Sequence, residues 1–166
     1  MDVATRLLIT LQRATGRPLG LASARGLSRA GEHAGAWLSA AALGAAADRE
    51  RREDWVRAWV AVFVSHAASV VVKRLLRRVR PRHDAVTVHV RTPSRWSFPS
   101  SHAASTTTAA VVLAPLVGRW TFALPAVMAW SRMVLGVHYL TDVLSGTALG
   151  ATIGAASERR RTRMQQ

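Results

Sequence analysis

The sequence predicts an all-α fold, a polytopic membrane helical bundle of about five transmembrane helices preceded by an amphipathic one. Three observations predict it. Five apolar segments follow one another between Ala34 and Ala156, parted by charged or polar stretches. Trp55, Trp59, Trp96, Trp120 and Trp130 fall mostly near segment ends, where aromatic rings settle at a membrane–water boundary. The segments also lack the polar face that a helix of a soluble bundle needs.

Taken in order, residues 2 to 15 place Val3, Leu7, Leu8 and Leu11 near helical spacing with Arg6 and Arg13 among them. This stretch is short and charged, which predicts an interfacial amphipathic helix rather than a span. Residues 16 to 31 mix Gly16, Pro18, Gly20, Gly26 and Gly31 with Arg17, Arg25 and Arg29 and read as a basic linker. Ala34 to Ala47 is a small-residue apolar segment, followed by the mixed-charge loop Asp48 to Asp54. Trp55 to Val72 is the second segment, broken only by Arg57 and by Ser65-His66, and it stops at Lys73. A long polar, basic, Pro-containing stretch follows. Ala103 to Val117 is the third segment, Trp120 to Leu135 the fourth, and Val143 to Ala156 the fifth, whose Gly and Ala suit close helix packing in membranes. The chain thus divides into an amphipathic helix and basic linker (1–31), a transmembrane domain (32–157) and a basic tail (158–166).

Composition narrows the partners. Lys and Arg number 23 against 9 Asp and Glu, a net charge of +14, yet 49% of residues are hydrophobic. A basic surface serves nucleic acid or an anionic membrane, and the apolar segments decide for membrane lipid and against nucleic acid. There is no Cys, hence no disulfide and no thiolate metal site. The N-terminus lacks the apolar core and cleavage site of a secretory signal peptide.

Three polar stretches carry chemistry. In Lys73 to Pro81, Lys73 and Arg80 are two helical turns apart, so on a continuing helix an ammonium and a forked guanidinium share a face and grip one tetrahedral anion. Arg74, Arg77, Arg78 and Arg82 read as headgroup-facing charges. In Phe98 to His102, Ser100 and Ser101 can cap the third helix, whose free N–H groups make an anion site, with His102 in its first turn. In Ser131 to Asp142, Arg132, His138 and Asp142 bring a cation, an imidazole and a carboxylate together. On a helix, Asp142 lies four residues from His138 on one face and can orient its ring. Each stretch alone is unremarkable as a helix cap or a headgroup contact. A hairpin of the third and fourth helices about Gly118-Arg119 brings all three to one side.

Together, Lys73-x6-Arg80-Pro81, Pro99-Ser100-x-His102 and Ser131-Arg132-x5-His138-x3-Asp142 resemble the three signature motifs of the type 2 phosphatidic acid phosphatase (PAP2) superfamily, lipid phosphatases related to vanadium haloperoxidases. Their order and spacing match over residues 73 to 142. The resemblance implies a haloperoxidase-like helical core and a two-step phosphoryl transfer without metal or other cofactor. His138 is then the nucleophile, oriented by Asp142, and His102 the general acid and base. Lys73, Arg80, Arg132, Ser100 and Ser101 hold the phosphate oxygens. Ser101 departs from the Gly usual at that position, and a helical Ser keeps the N–H donor. With no Cys and one well-placed carboxylate, a two-metal centre has too few ligands.

The implied substrate is a lipid phosphomonoester or pyrophosphate. Polyprenyl pyrophosphates, phosphatidic or phosphatidylglycerol phosphates and polyprenyl-phosphoryl sugar phosphates all fit. The Arg/Ala-rich, Lys-poor composition is similar to high-GC actinobacterial members acting on decaprenylphosphoryl phosphoribose. A non-catalytic basic membrane scaffold is the rival class. His33, His66, His83 and His89 fit no motif, and His66 reads as a helix–helix hydrogen bonder. Basic residues are nearly balanced between the two sides, and the amphipathic N-terminus tips the catalytic side toward the cytoplasm of a cell membrane.

Overall fold

In a computed structural model describing residues 2–164, helix α1 (Val3–Thr15) starts where the Asp2 carboxylate accepts hydrogen bonds from the Thr5 N–H and hydroxyl. Gln165 and Gln166 of the predicted tail lie outside the described residues. The helix forms as predicted, and its apolar stripe is divided: Val3 and Leu7 stay exposed while Leu8 is buried. Leu8 and Leu11 pack with Met133 and Val143 of the bundle. An apolar stripe is satisfied equally by lipid and by protein, and protein covers the part made by Leu8 and Leu11.

The predicted linker is also a helix, α2 (Pro18–Ala30). Pro18 sits at the first helical position, where its missing N–H is no loss, and buried Ala24 packs against Val134 and Val137. The Ser131 hydroxyl donates to the Ala24 carbonyl at 2.8 Å and fixes α2 to the bundle.

All five predicted segments become helices, of unequal length: α3 (Gly35–Ala47), α4 (Arg52–Leu76), α5 (Ser101–Val117), α6 (Leu124–Val134) and α7 (Leu140–Met164). Among the described residues α4 is the helix both long and apolar enough to cross a membrane. The fourth segment yields only eleven α-helical residues because its start, Arg119–Ala123, is a 3-10 turn after Gly118. Helix α7 runs on through the basic residues of the predicted tail.

Helix α5 is the centre of the bundle. Trp55, Ala58 and Val62 of α4 close on its Ala109, Val112 and Leu113. On the other side α7 approaches so closely that a Cβ at Gly150 would stand 2.2 Å from the Ala104 carbonyl oxygen, and one at Gly146 2.4 Å from that of Ser100. Small residues permit this contact, as they do between membrane helices. The Thr108 hydroxyl bridges the pair, at 2.9 Å from the Gly150 carbonyl oxygen.

Candidate active site

The three polar stretches converge, though not by the predicted route. Helix α4 ends at Leu76 with Arg77 left-handed at φ 49°, so Lys73 and Arg80 do not share a helical face. Arg80 lies in the following loop, which Val79 ties to Trp96. Its Nε donates to the Ser94 carbonyl at 2.8 Å and its Nη1 to the Val137 carbonyl at 2.7 Å. Those two bonds aim the guanidinium at the cavity that Lys73 lines from the last turn of α4.

Arg132, 3% exposed in the last turn of α6, completes a set of three cations. Its Nη1 donates to the Ser28 hydroxyl, while its buried Nε has no partner among the described residues. None of Lys73, Arg80 and Arg132 forms an ion pair among the described residues. Burying a charge without a counter-ion costs several kcal/mol, so a cluster of this kind is built for an anion. Burial brings Arg80 down to about 10, which leaves it protonated at neutral pH.

His138 is fully buried in the turn between α6 and α7, which begins at Gly136 with φ 71°. A Cβ at Gly136 would stand 2.3 Å from the Thr87 carbonyl oxygen, so this turn requires Gly both for its backbone and for its space. Arg80 Nη1 lies 3.2 Å from His138 Nε2. A guanidinium can only donate, so Nε2 carries the lone pair and Nδ1 the hydrogen. Nδ1 faces Asp142 Oδ2 at 3.6 Å, longer than a hydrogen bond. Burial first, then Arg132, Arg80 and Lys73, hold the imidazole well below its ordinary value of 6.5 and keep it neutral.

Asp142 stands at the start of α7, and His138 precedes that helix rather than sharing it. The carboxylate accepts from the Tyr139 N–H at 2.9 Å and from Arg78 Nη1 at 2.9 Å. Arg78 is therefore no headgroup contact. It also donates to the Thr141 hydroxyl and lies over the Tyr139 ring. Nothing in the run Lys73 to Pro81 marks Arg78 apart from its neighbours, because its partner is 64 residues away.

Ser100 and Ser101 divide the duties assigned to both. Ser100 is buried, its hydroxyl accepts from the Ala103 N–H and its own N–H donates to the Asp142 carbonyl, and it does not line the cavity. Ser101 does line it, with a buried hydroxyl that has no partner among the described residues. His102 lines it too, and its Nε2 lies 3.0 Å from the Ser28 carbonyl oxygen. That oxygen only accepts, so Nε2 carries the hydrogen and Nδ1 is free to exchange a proton. Ser28 thus holds both His102 and Arg132, from a stretch the sequence marks only as basic and glycine-bearing.

The cavity measures about 540 Å³, within the range of small-ligand sites. Six predicted residues line it: Lys73, Arg80, Ser101, His102, Arg132 and His138. Beyond them lie Glu32, His33 and His66. Among the described residues the His66 side chain makes no helix–helix hydrogen bond. Its ring stands edge-on to that of His33, with centroids 6.0 Å apart, and its buried Nδ1 has no partner among the described residues.

Residues 54–163 match the PAP2 superfamily. Over 143 residues the chain is 53% identical to the decaprenylphosphoryl-5-phosphoribose phosphatase of Mycobacterium tuberculosis, an alignment covering 84% of this chain and 79% of that one. Two solved structures share its fold. The transmembrane PAP2 type phosphatidylglycerolphosphate phosphatase of Bacillus subtilis superposes with a TM-score of 0.77 at 20% identity, covering 98% of this chain and 88% of that one. LpxE of Aquifex aeolicus gives 0.78 at 21% identity, covering 96% of each chain.

Proposed function

This chain belongs to the PAP2 superfamily and is a phosphatase of lipid phosphates, and from that premise we propose a multi-pass membrane enzyme acting on a polyprenyl-linked phosphopentose of the decaprenylphosphoryl-5-phosphoribose kind. The observation that carries the reading is the lone pair of buried His138 Nε2, set against Arg80 in a cavity that Lys73 and Arg132 also line, with none of the three cations paired to a carboxylate among the described residues. In this reading Lys73, Arg80, Arg132 and Ser101 hold the phosphoryl oxygens and orient phosphorus toward Nε2. The Nε2–P bond forms as the P–O bond to the sugar breaks, and His102, entering the step as the imidazolium with Nε2–H still on the Ser28 carbonyl, gives the departing oxygen the proton of Nδ1. His102 then takes a proton from water, whose oxygen attacks phosphorus and frees His138 with inorganic phosphate. Asp142 steadies the charge that His138 gains.

The substrate is tested by phosphate release from purified protein offered three lipids: a polyprenylphosphoryl ribose 5-phosphate, undecaprenyl pyrophosphate and phosphatidic acid. The phosphoribosyl lipid is expected to show the highest kcat/KM, unchanged in excess chelator and suppressed by vanadate. Preference for either other lipid, or loss in chelator restored by Mg²⁺, would overturn the reading.

Ser28→Ala tests the part played by α2. The exchange removes the hydroxyl that Arg132 contacts and leaves the carbonyl that holds His102. A hydrogen bond to a charged group is worth about 1.5–3 kcal/mol, so kcat/KM should fall roughly tenfold or more. Ser28→Thr, which keeps the hydroxyl, should restore most of it; equal activity in Ser28→Ala and wild type would remove Ser28 from the site.

A further inference from the structure

Among the described residues Glu32 is the one acidic side chain lining a cavity whose fixed charges are otherwise the cations of Lys73, Arg74, Arg80 and Arg132. A carboxylate repels phosphate. It is an acceptor with two oxygens, suited to the two O–H donors of a vicinal diol. Beside it, His33 and His66 can each donate or accept, as a hydroxyl also can. Among the described residues no three His, Asp or Glu converge as metal ligands, so this is a hydrogen-bonding group.

The backbone presents it at a cost. His33 and Ala34 are consecutive left-handed residues at φ 51° and 60°, a conformation disfavoured by roughly 1–2 kcal/mol each for residues bearing a Cβ. Ala34 is pinned in the core by Trp55 and Ala58. Gly31 is pinned opposite, since a Cβ there would stand 2.8 Å from His102 Cδ2 and 2.9 Å from Met128 Cε. Between those anchors Glu32 and His33 remain exposed at the cavity. Strain of this kind persists where the surroundings over-determine it, and it clusters at ligand sites.

Position along α4 supplies the order of binding. His66, Val70 and Lys73 line the cavity at the spacing of one helix face. His66 lies seven residues before Lys73, roughly 10 Å along the axis and deeper in the helix. One phosphate cannot bond both ends, but a phosphate at Lys73 followed inward by a sugar ring and then the lipid can.

We propose that Glu32, His33 and His66 form a hydroxyl-binding subsite for the sugar ring of the substrate, on the membrane side of the phosphate site. It rests on the reading of the substrate as a glycosyl phosphate and assigns the residues that tell that sugar from a plain lipid phosphate.

The test compares farnesylphosphoryl ribose 5-phosphate, its 2-deoxyribose analogue and farnesyl phosphate, with wild type, Glu32→Gln and His33→Asn, the last keeping a residue that tolerates positive φ. Wild type is expected to favour the ribosyl over the deoxyribosyl lipid by about tenfold or more in kcat/KM, as sites built to bond a hydroxyl do. Both variants should compress that ratio toward one, with thermal unfolding in detergent unchanged. Release from both glycosyl lipids at an equal ratio in wild type and variants overturns the subsite alone and leaves Glu32 a counter-ion of the cations. Release from farnesyl phosphate only overturns the substrate reading and the subsite with it.

Discussion

His138→Ala is expected to abolish phosphate release, by about 10⁴-fold or more, with the protein still folded in detergent. Among the described residues no other side chain brings an unprotonated nitrogen against Arg80, and neither water nor Ser101 can replace a nucleophile held in that position. His102→Ala should fall nearly as far. The double variant should be little worse than either, because nucleophile and acid serve one step. The pH profile gives an independent check. His138 is held well below 6.5 by burial and by three cations, so its neutral form survives as pH falls through 6.5. Its acid limb in kcat/KM must lie below that value. A limb at or above 6.5 in wild type, or substantial turnover in His138→Ala, would remove His138 as the attacking group.

Asp142→Asn is the second large effect. Asp142 has no exposed surface, and its oxygens serve the Tyr139 N–H, Arg78 and, at 3.6 Å, His138 Nδ1. Neutralising it removes the charge that offsets an imidazolium in the transition state and leaves Arg78 facing an amide. Loss of kcat should approach the ~10⁴ seen when the carboxylate of a Ser-His-Asp triad is neutralised, with a smaller change in KM. Arg78→Ala, acting through Asp142, should cost less, and its effect should largely vanish in the Asp142→Asn background. A loss in Asp142→Asn under tenfold would reduce Asp142 to a cap on α7.

Local chemistry wrote much of this protein legibly. The five apolar segments became helices because a helix pairs the backbone groups of a mainly apolar run within the run itself. His102, Arg132 and His138 reached the cavity, and so did Lys73 and Arg80, although the helix expected to join that pair ends at Leu76. Their residue types and intervals were visible because each motif lies within a dozen residues.

What only the tertiary structure decided is long-range. Which part of the stripe of α1 meets protein cannot be read from the stripe; Met133 and Val143 cover Leu8 and Leu11, whereas Val3 and Leu7 stay exposed. The stretch read as a linker is a helix because Pro18 can start one and because Ser131 and Val134 give it a surface to pack on. Arg78, Ser28, Glu32 and His33 carry no local signature, since their partners stand far away in the chain or across a cavity. Ser100 and Ser101, adjacent in sequence, part company for the same reason. Ser100 is occupied by the helix cap and Asp142, whereas Ser101, one residue on, keeps a hydroxyl for the cavity. A chain sets which groups are available, but the closing of α5 on α7 sets which of them are left unpaired, and unpaired buried groups are what bind.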